Sequence, residues 1–276
     1  MTFSIAQISD THLSGERPFF VENFARVAAH VAANPPDLVI NTGDMTLDGV
    51  QRDSDCVEAL RLHRTIGAPC RFIPGNHDLG EAQDAPPHAG VVPITEQRRQ
   101  RYLEHFGEDY WRLDVPGWRL LAVNAQLLGS DLSGAAAQMD FVRQACTGMA
   151  ERHLALFIHK PLFHQSPDEE VVSGRFINPG PRKELLSALS AHPPALVCSG
   201  HVHQFFTSAA YGTRHVWAPA TGFILPDNRQ PRYGLKQTGY IEHGLAPDGT
   251  LESRFVTVPG VPTHDIAAFP EAYKTG

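Results

Sequence analysis

Five apolar runs in this chain each end in residues able to bind a cation, and that repeated ending limits the possible folds more than any other feature. Residues 3–9 stop at Asp10-Thr11-His12, 38–42 at Gly43-Asp44, 71–74 at Gly75-Asn76-His77-Asp78, 154–158 at His159, and 195–199 at Gly200-His201-Val202-His203. Short apolar runs separated by amphipathic stretches read as buried strands of an α/β fold. In open α/β sheets ligands bind beyond the carboxyl ends of the strands, so five such strands side by side would carry these groups to one rim. Asp10 and His12 are two residues apart, as are His201 and His203, a step that in extended chain points both side chains to one side. Gly43, Gly75 and Gly200 precede the polar groups, where a missing Cβ lets the backbone turn sharply and approach an ion closely.

The spacing between the runs supplies the rest of the architecture. Phe20, Val21, Phe24, Val27, Ala28 and Val31 recur at helical intervals until Pro35-Pro36, which makes the first stretch a βαβ unit. Further helices are predicted over 54–66, 96–106, 135–150 and 182–191. The runs 111–115 and 118–123 flank Pro116-Gly117 and read as a hairpin, so the sheet is mixed. Residues 204–218 and 238–258 read as strands joined at Tyr211-Gly212-Thr213 and at Ala246-Pro247-Asp248-Gly249, with no helix among them. No stretch has a linker's composition, so we expect one domain over 1–260 followed by a loose C-terminal tail, 261–276. Three loops, 79–95, 165–182 and 224–240, are expected to carry substrate choice.

Taken together, the run ends hold two carboxylates (Asp10, Asp44), four imidazoles (His12, His159, His201, His203) and one amide oxygen (Asn76), without a thiolate. That donor set suits Fe, Mn, Zn or Co; it does not suit Cu(I) or an all-oxygen Ca²⁺ site. Seven donors exceed one tetrahedral ion, and a carboxylate bridging two ions accommodates them, with room between the ions for a water or hydroxide. Two cations about 3.5–4 Å apart lower the pKa of such a water and stabilise the attacking and leaving oxygens of a displacement at phosphorus. The implied chemistry is phosphoester hydrolysis. The formal charge of −7, from 23 basic and 30 acidic residues, disfavours binding of long nucleic acids. Bound cations would supply the positive charge that a phosphate requires.

In this order, Asp10-x-His12, Gly43-Asp44, Gly75-Asn76-His77-Asp78, His159 with Lys160-Pro161, and Gly200-His201-x-His203 resemble the five-part signature of the calcineurin-like metallophosphoesterases. The resemblance implies a four-layer α/β/β/α sandwich of two mixed sheets flanked by helices. It also implies two transition-metal ions, one held by Asp10, His12, Asp44 and His203 and the other by Asp44, Asn76, His159 and His201, with Asp44 bridging. His77 would then be left to face the substrate, stabilising phosphoryl oxygens or protonating the leaving alkoxide, and Asp78 would orient its neighbours. The Asp-Thr-His opening and the Tyr102-Leu103-x-x-Phe106 segment look most like bacterial class III cyclic-nucleotide phosphodiesterases and related glycerophosphodiesterases. Asn124 stands where many relatives carry aspartate, and loop 79–95 is longer than the motif before it leads one to expect. The substrate reading is therefore a small phosphodiester, a cyclic nucleotide such as cAMP or a glycerophosphodiester. Alternatives on the same core are a nuclease, a nucleotide pyrophosphatase or a phosphomonoesterase, and outside enzymology a protein-binding scaffold that kept its metal site.

Other residues are given smaller parts. His164, Arg175 and Arg232 are placed at the rim as substrate contacts, while His30, His63, His105 and His153, on helices or at their ends, are set aside as core-edge or solvated histidines. Asp168-Glu169-Glu170 reads as solvated loop. A nucleophile elbow and a P-loop are both missing, which excludes those chemistries. Scattered cysteines (56, 70, 146, 198), no basic-then-apolar leader and no apolar stretch near the roughly 20 residues of a membrane span lead us to expect a cytoplasmic protein. A homo-oligomer is left open.

Overall fold

The computed structural model describes residues 1–84 and 92–273. Strands β1 (Phe3–Ile8), β2 (Leu38–Asn41) and β3 (Cys70–Phe72) run parallel, and β10 (Tyr240–Leu245) and β11 (Leu251–Val256) extend this sheet antiparallel in the order β11-β10-β1-β2-β3. A second sheet has the order β4-β5-β6-β7-β9-β8, formed by β4 (Trp111–Val115), β5 (Trp118–Val123), β6 (His153–Ile158), β7 (Leu196–Ser199), β8 (Phe206–Ala210) and β9 (Thr213–Trp217). The five strands that end in donors therefore do not lie side by side. Three belong to one sheet and two to the other, and the rim is made where the two sheets' carboxyl ends meet.

Alternation along the strands builds the layers. Ile5, Leu38 and Ile40 face Leu120, Ala155, Phe157 and Leu196 in a core between the sheets, while Ala6, Ile8 and Val39 point outward. The outward set packs on α1 (Val21–Ala33), α2 (Asp53–His63) and α4 (Glu96–Phe106) through Phe24, Val27, Val31, Ala59, Leu62 and Tyr102. On the far side, Leu121, Val123, Leu156 and Ile158 pack on α5 (Ser133–Ala145) and α6 (Pro179–Ala188) through Met139, Val142 and Leu185. The result is the α/β/β/α arrangement that the resemblance implies. One short helix, α3 (Asn76–Leu79), was not foreseen. Residues 85–91 of the expected loop 79–95 lie outside the described residues. The expected loose tail instead packs against the body at Ile266 and Ala272, both buried.

Buried histidines make the fold acid-sensitive. His63 gives its Nδ1–H to the Ala59 carbonyl and accepts from the Asn41 amide at 2.9 Å, while Asn41 Oδ1 accepts from Gly43 N–H. A proton on Nε2 would set donor against donor, and burial holds His63 down to about 4, with the Ala59 carbonyl opposing. Burial likewise lowers His215 to about 4, and lowers His243 to about 3 with Arg214 adding to the effect. Each depressed base binds a proton in the unfolded chain below pH 6.5 that the fold refuses, so stability falls as pH drops from 6.5 towards 4, by about 1 kcal/mol per pH unit per group. Asp78, pushed up to about 6 by burial and by Asp44, works in the other direction below that pH and offsets one of the three. Urea midpoints are expected to be clearly lower at pH 5 than at pH 7; equal midpoints would refute this.

Candidate metal centre

Backbone pairing carries the first two donor loops beyond their strands. Asp10 N–H donates to Gly43 O at 2.9 Å, His12 N–H to Asp44 O at 3.0 Å and Leu13 N–H to Met45 O at 2.8 Å. The chain here is not extended, contrary to the i, i+2 reading. Asp10, His12, Asp44, His201 and His203 all have positive φ, between 46° and 67°, and the described residues contain only two other non-glycines of that kind, Ala150 and Tyr211. The left-handed conformation costs about 1–2 kcal/mol per residue, least for Asp, Asn and His, and such strain concentrates at functional sites. Each kink turns a side chain off the strand direction. All three glycines named from the sequence permit close approach: a Cβ would press on His159 Nδ1 at Gly43, whose φ is also +105°, on Asp44 Oδ1 at Gly75, and on Ser9 Oγ and Asp10 Oδ2 at Gly200.

The donors form two groups that share Asp44: Asp10, His12, Asp44 and His203, and Asp44, His159 and His201, with the ligand atoms in each within 4.8 Å of one another. Asn76 Oδ1 joins the second group, 3.3 Å from His159 Nε2. Asp44 Oδ2 lies 3.4 Å from His159 Nε2 and 4.0 Å from His12 Nε2. Asp10 Oδ1 lies 3.3 Å from His203 Nε2, and both Asp10 oxygens accept from the His201 N–H.

Hydrogen-bond chemistry decides what these groups can hold. His159 Nδ1 is 2.7 Å from Thr42 O, His203 Nδ1 is 2.7 Å from Phe223 O, and His201 Nε2 is 2.9 Å from Gly174 O. A carbonyl only accepts, so each of these outer nitrogens carries the hydrogen and each inner nitrogen presents a bare lone pair. Yet the inner nitrogens face one another, His159 Nε2 to His201 Nδ1 at 3.2 Å and His12 Nε2 to His203 Nε2 at 3.3 Å, with Asn76 Oδ1 and two carboxylates beside them. Buried lone pairs at these distances repel unless positive charge lies between them. A proton supplies some of it: burial lowers His159, but Asp44 outweighs that and pushes it up to about 9. His203 is raised as well, Asp10 outweighing burial, while His12 and His201 are held well below their ordinary value, chiefly by burial, so each facing pair can share one proton when no cation is bound. The donor chemistry fits two metal ions.

Residues 3–205 match the family model of the calcineurin-like phosphoesterases. The chain is a calcineurin-like phosphoesterase. A Synechococcus protein named "Probable cyclic nucleotide phosphodiesterase" is 27% identical over 269 residues, covering 92% of each chain. The 3',5'-cyclic adenosine monophosphate phosphodiesterase CpdA of Escherichia coli is 26% identical over 234 residues, covering 79% of this chain and 75% of CpdA. Among solved structures, a dimetal phosphatase from Danio rerio superposes with a TM-score of 0.64 at 13% identity, covering 93% of this chain and 99% of its own, a likeness of fold alone.

In this phosphoesterase Asp44, Asn76, His201 and His203 floor a cleft of about 710 Å³ lined also by His77, Glu81, Arg175, Arg229 and Tyr273, among others. His77 donates its backbone N–H to Asp44 Oδ1 at 2.8 Å and its Nδ1–H to Leu47 O at 3.0 Å, which leaves Nε2 free. Asp78 accepts from the N–H groups of Gly75, Met45 and Thr46 and from the Thr46 hydroxyl, tying the Asp44 loop to the Asn76 loop. Arg175 lines the cleft and donates to Arg229 O at 3.1 Å. The other two rim residues named from the sequence sit elsewhere. His164 stacks on Phe176 and sits tilted against Tyr233 outside the cleft lining, and exposed Arg232 pairs with Asp227. Asn124 ties Asp109 to Gln126 and Gln138 away from the donors. His153 opens β6 and is not at a helix end. Glu81, Arg229 and Tyr273 were missed; Glu81 pairs with Lys160, beside His159, which was the one local hint.

Proposed function

We propose that this phosphoesterase holds two transition-metal ions, Fe, Mn or Zn, and hydrolyses a small phosphodiester, a cyclic nucleotide first and a glycerophosphodiester second. The observation that carries the reading is the pair of donor groups sharing Asp44 at the floor of one cleft. One ion would take Asp10, His12, Asp44 and His203, and the other Asp44, Asn76, His159 and His201. When bound, the ions supply Lewis acidity and an acidified water. The chain's own residues do the rest. Backbone carbonyls of Thr42, Gly174 and Phe223 lock three imidazoles with a bare nitrogen inward, Asp78 clamps the loops that set Asp44 against Asn76, and His77 presents Nε2 to the substrate.

Support for the substrate class comes from cleft size and charge. A volume of about 710 Å³ admits a nucleotide, and Arg175 and Arg229 at its wall suit a phosphate or a base edge. The acidic net charge speaks against long nucleic acids. Four free cysteines, three of them buried, suit a reducing, cytoplasmic compartment, and among the described residues no helix is long and apolar enough to cross a membrane.

Metal analysis with a substrate panel tests the proposal. Two ions per chain are expected, with turnover lost on exhaustive chelation, restored by added Mn²⁺, Fe²⁺ or Zn²⁺, and faster on cyclic nucleotides than on phosphomonoesters. Activity that survives chelation would sink the metal mechanism, and two bound ions without turnover of any diester would favour the scaffold alternative.

A further inference from the structure

The C-terminal segment returns to the metal centre. Pro262 O accepts from Asn23 and Thr238, and Ile224 exchanges backbone bonds with the segment, donating to His264 O at 2.8 Å and accepting from Ile266 N–H at 3.0 Å. A 3-10 turn at Ile266–Ala268 is capped by Asp265. Ile266 and Ala272 then pack with Phe20, Leu47 and Phe223, and Ala272 O accepts from Arg17 at 2.9 Å. This anchored path delivers Tyr273 to the cleft, with its hydroxyl 3.1 Å from His12 Nδ1 and its ring 5.2 Å from that of His77. Tyr273 is 39% exposed as a residue and lines the cleft.

The direction of the hydrogen bond to His12 follows from the other end of the ring. His12 Nε2 faces His203 Nε2 and Asp44, and a cation there requires that nitrogen bare. Nδ1 then carries the hydrogen and the Tyr273 oxygen accepts it. Phenol oxygen used as an acceptor keeps its own hydrogen, and the described residues offer that hydrogen no acceptor. A donor without a partner thus stands at the wall of a cleft floored by phosphate chemistry.

We propose that Tyr273 is a substrate-binding residue, its hydroxyl accepting from His12 Nδ1–H and donating to a non-ester oxygen of the phosphoester. The inference rests on the two-ion reading, because His12 ligation sets the direction of the bond. Tyr273→Phe keeps the ring and the packing of the segment and removes only the oxygen. The probes are inorganic phosphate as a competitive inhibitor, bis(p-nitrophenyl) phosphate as substrate, and chelator competition for metal affinity, with thermal midpoints as the control for folding. At saturating metal the phosphate Ki and the KM are expected to rise about tenfold, as for loss of a hydrogen bond to a charged group. Metal affinity falls about tenfold as His12 loses its orienting partner. A phosphate Ki unchanged at full metal occupancy overturns the substrate contact, and so does a variant with higher kcat/KM, which would make the segment an obstruction. Failure of the two-ion reading registers separately, as wild-type protein that takes up fewer than two ions.

Discussion

Asp44→Asn is expected to leave the fold standing and to reduce metal content from two ions to at most one, with kcat/KM lower by about three orders of magnitude or more, roughly 4 kcal/mol of transition-state stabilisation. Asp44 Oδ2 looks toward both His159 and His12, while Oδ1 accepts the His77 N–H. An amide of the same shape keeps that acceptor on one side and on the other gives His159 Nε2 a hydrogen, which meets the bare nitrogen without an ion. The apo fold therefore exchanges a charge-assisted bond between Asp44 and protonated His159 for a neutral one, and its thermal midpoint is expected to fall modestly while the protein stays folded. What disappears is the one negatively charged oxygen within reach of both donor groups. Metal analysis after dialysis and turnover of a diester check the result; two retained ions with activity within tenfold of wild type would show that Asp44 does not bridge.

Much of the fold could be read from local signals because those signals are physically local. Helical spacing from Phe20 to Val31 and the Pro116-Gly117 turn fall within a few residues of the elements they specify, and helix 96–106 and both hairpin strands match the structure's bounds. The division of donor strands between two sheets could not be read, since β1, β2, β6 and β7 are all buried on both faces and their apolar runs look alike. Four-residue α3 is shorter than any periodicity window. Helix α6 begins at Pro179, three residues before the expected start, because proline fits the first helical turn, where its missing N–H costs nothing. The apolar residues of the segment after 260 are interrupted by Pro262 and Pro270, and Ile266 and Ala272 acquire their meaning only against Phe20 and Phe223.

At the site, the same division holds. Donors were legible because histidine after an apolar run serves no turn requirement, although Asp and Asn there also suit a turn, whereas the left-handed backbone at five of them has no sequence mark besides residue type. The cleft wall comes from long-range packing: Tyr273 reaches His12 across 261 positions. Proximity in sequence misled at His164, five residues after His159. The chain after Pro161 leaves the rim, and the aromatic faces of Phe176 and Tyr233 claim that imidazole.

His77 is where geometry and chemistry give the sharpest remaining expectation. Its Nδ1–H is held by Leu47 O, and its ring stands edge-on to His12 at 4.8 Å between centroids, so Nε2 is aimed into the cleft in either protonation state. When protonated, both ring nitrogens donate, one to the Leu47 carbonyl and one to the oxygen that leaves phosphorus. An alkoxide, the leaving group of a cyclic nucleotide or a glycerol diester, needs that proton; a nitrophenolate does not. His77→Ala is therefore expected to lower kcat on an alkyl diester by roughly 10²–10⁴-fold, and on bis(p-nitrophenyl) phosphate by less than about tenfold, in keeping with the smaller demand for a proton. The alanine keeps the backbone N–H that Asp44 Oδ1 accepts, so metal content is expected to stay at the wild-type value. Equal losses on the two substrates at unchanged metal content would assign His77 to holding phosphoryl oxygens in place of proton delivery, since that role is blind to the leaving group.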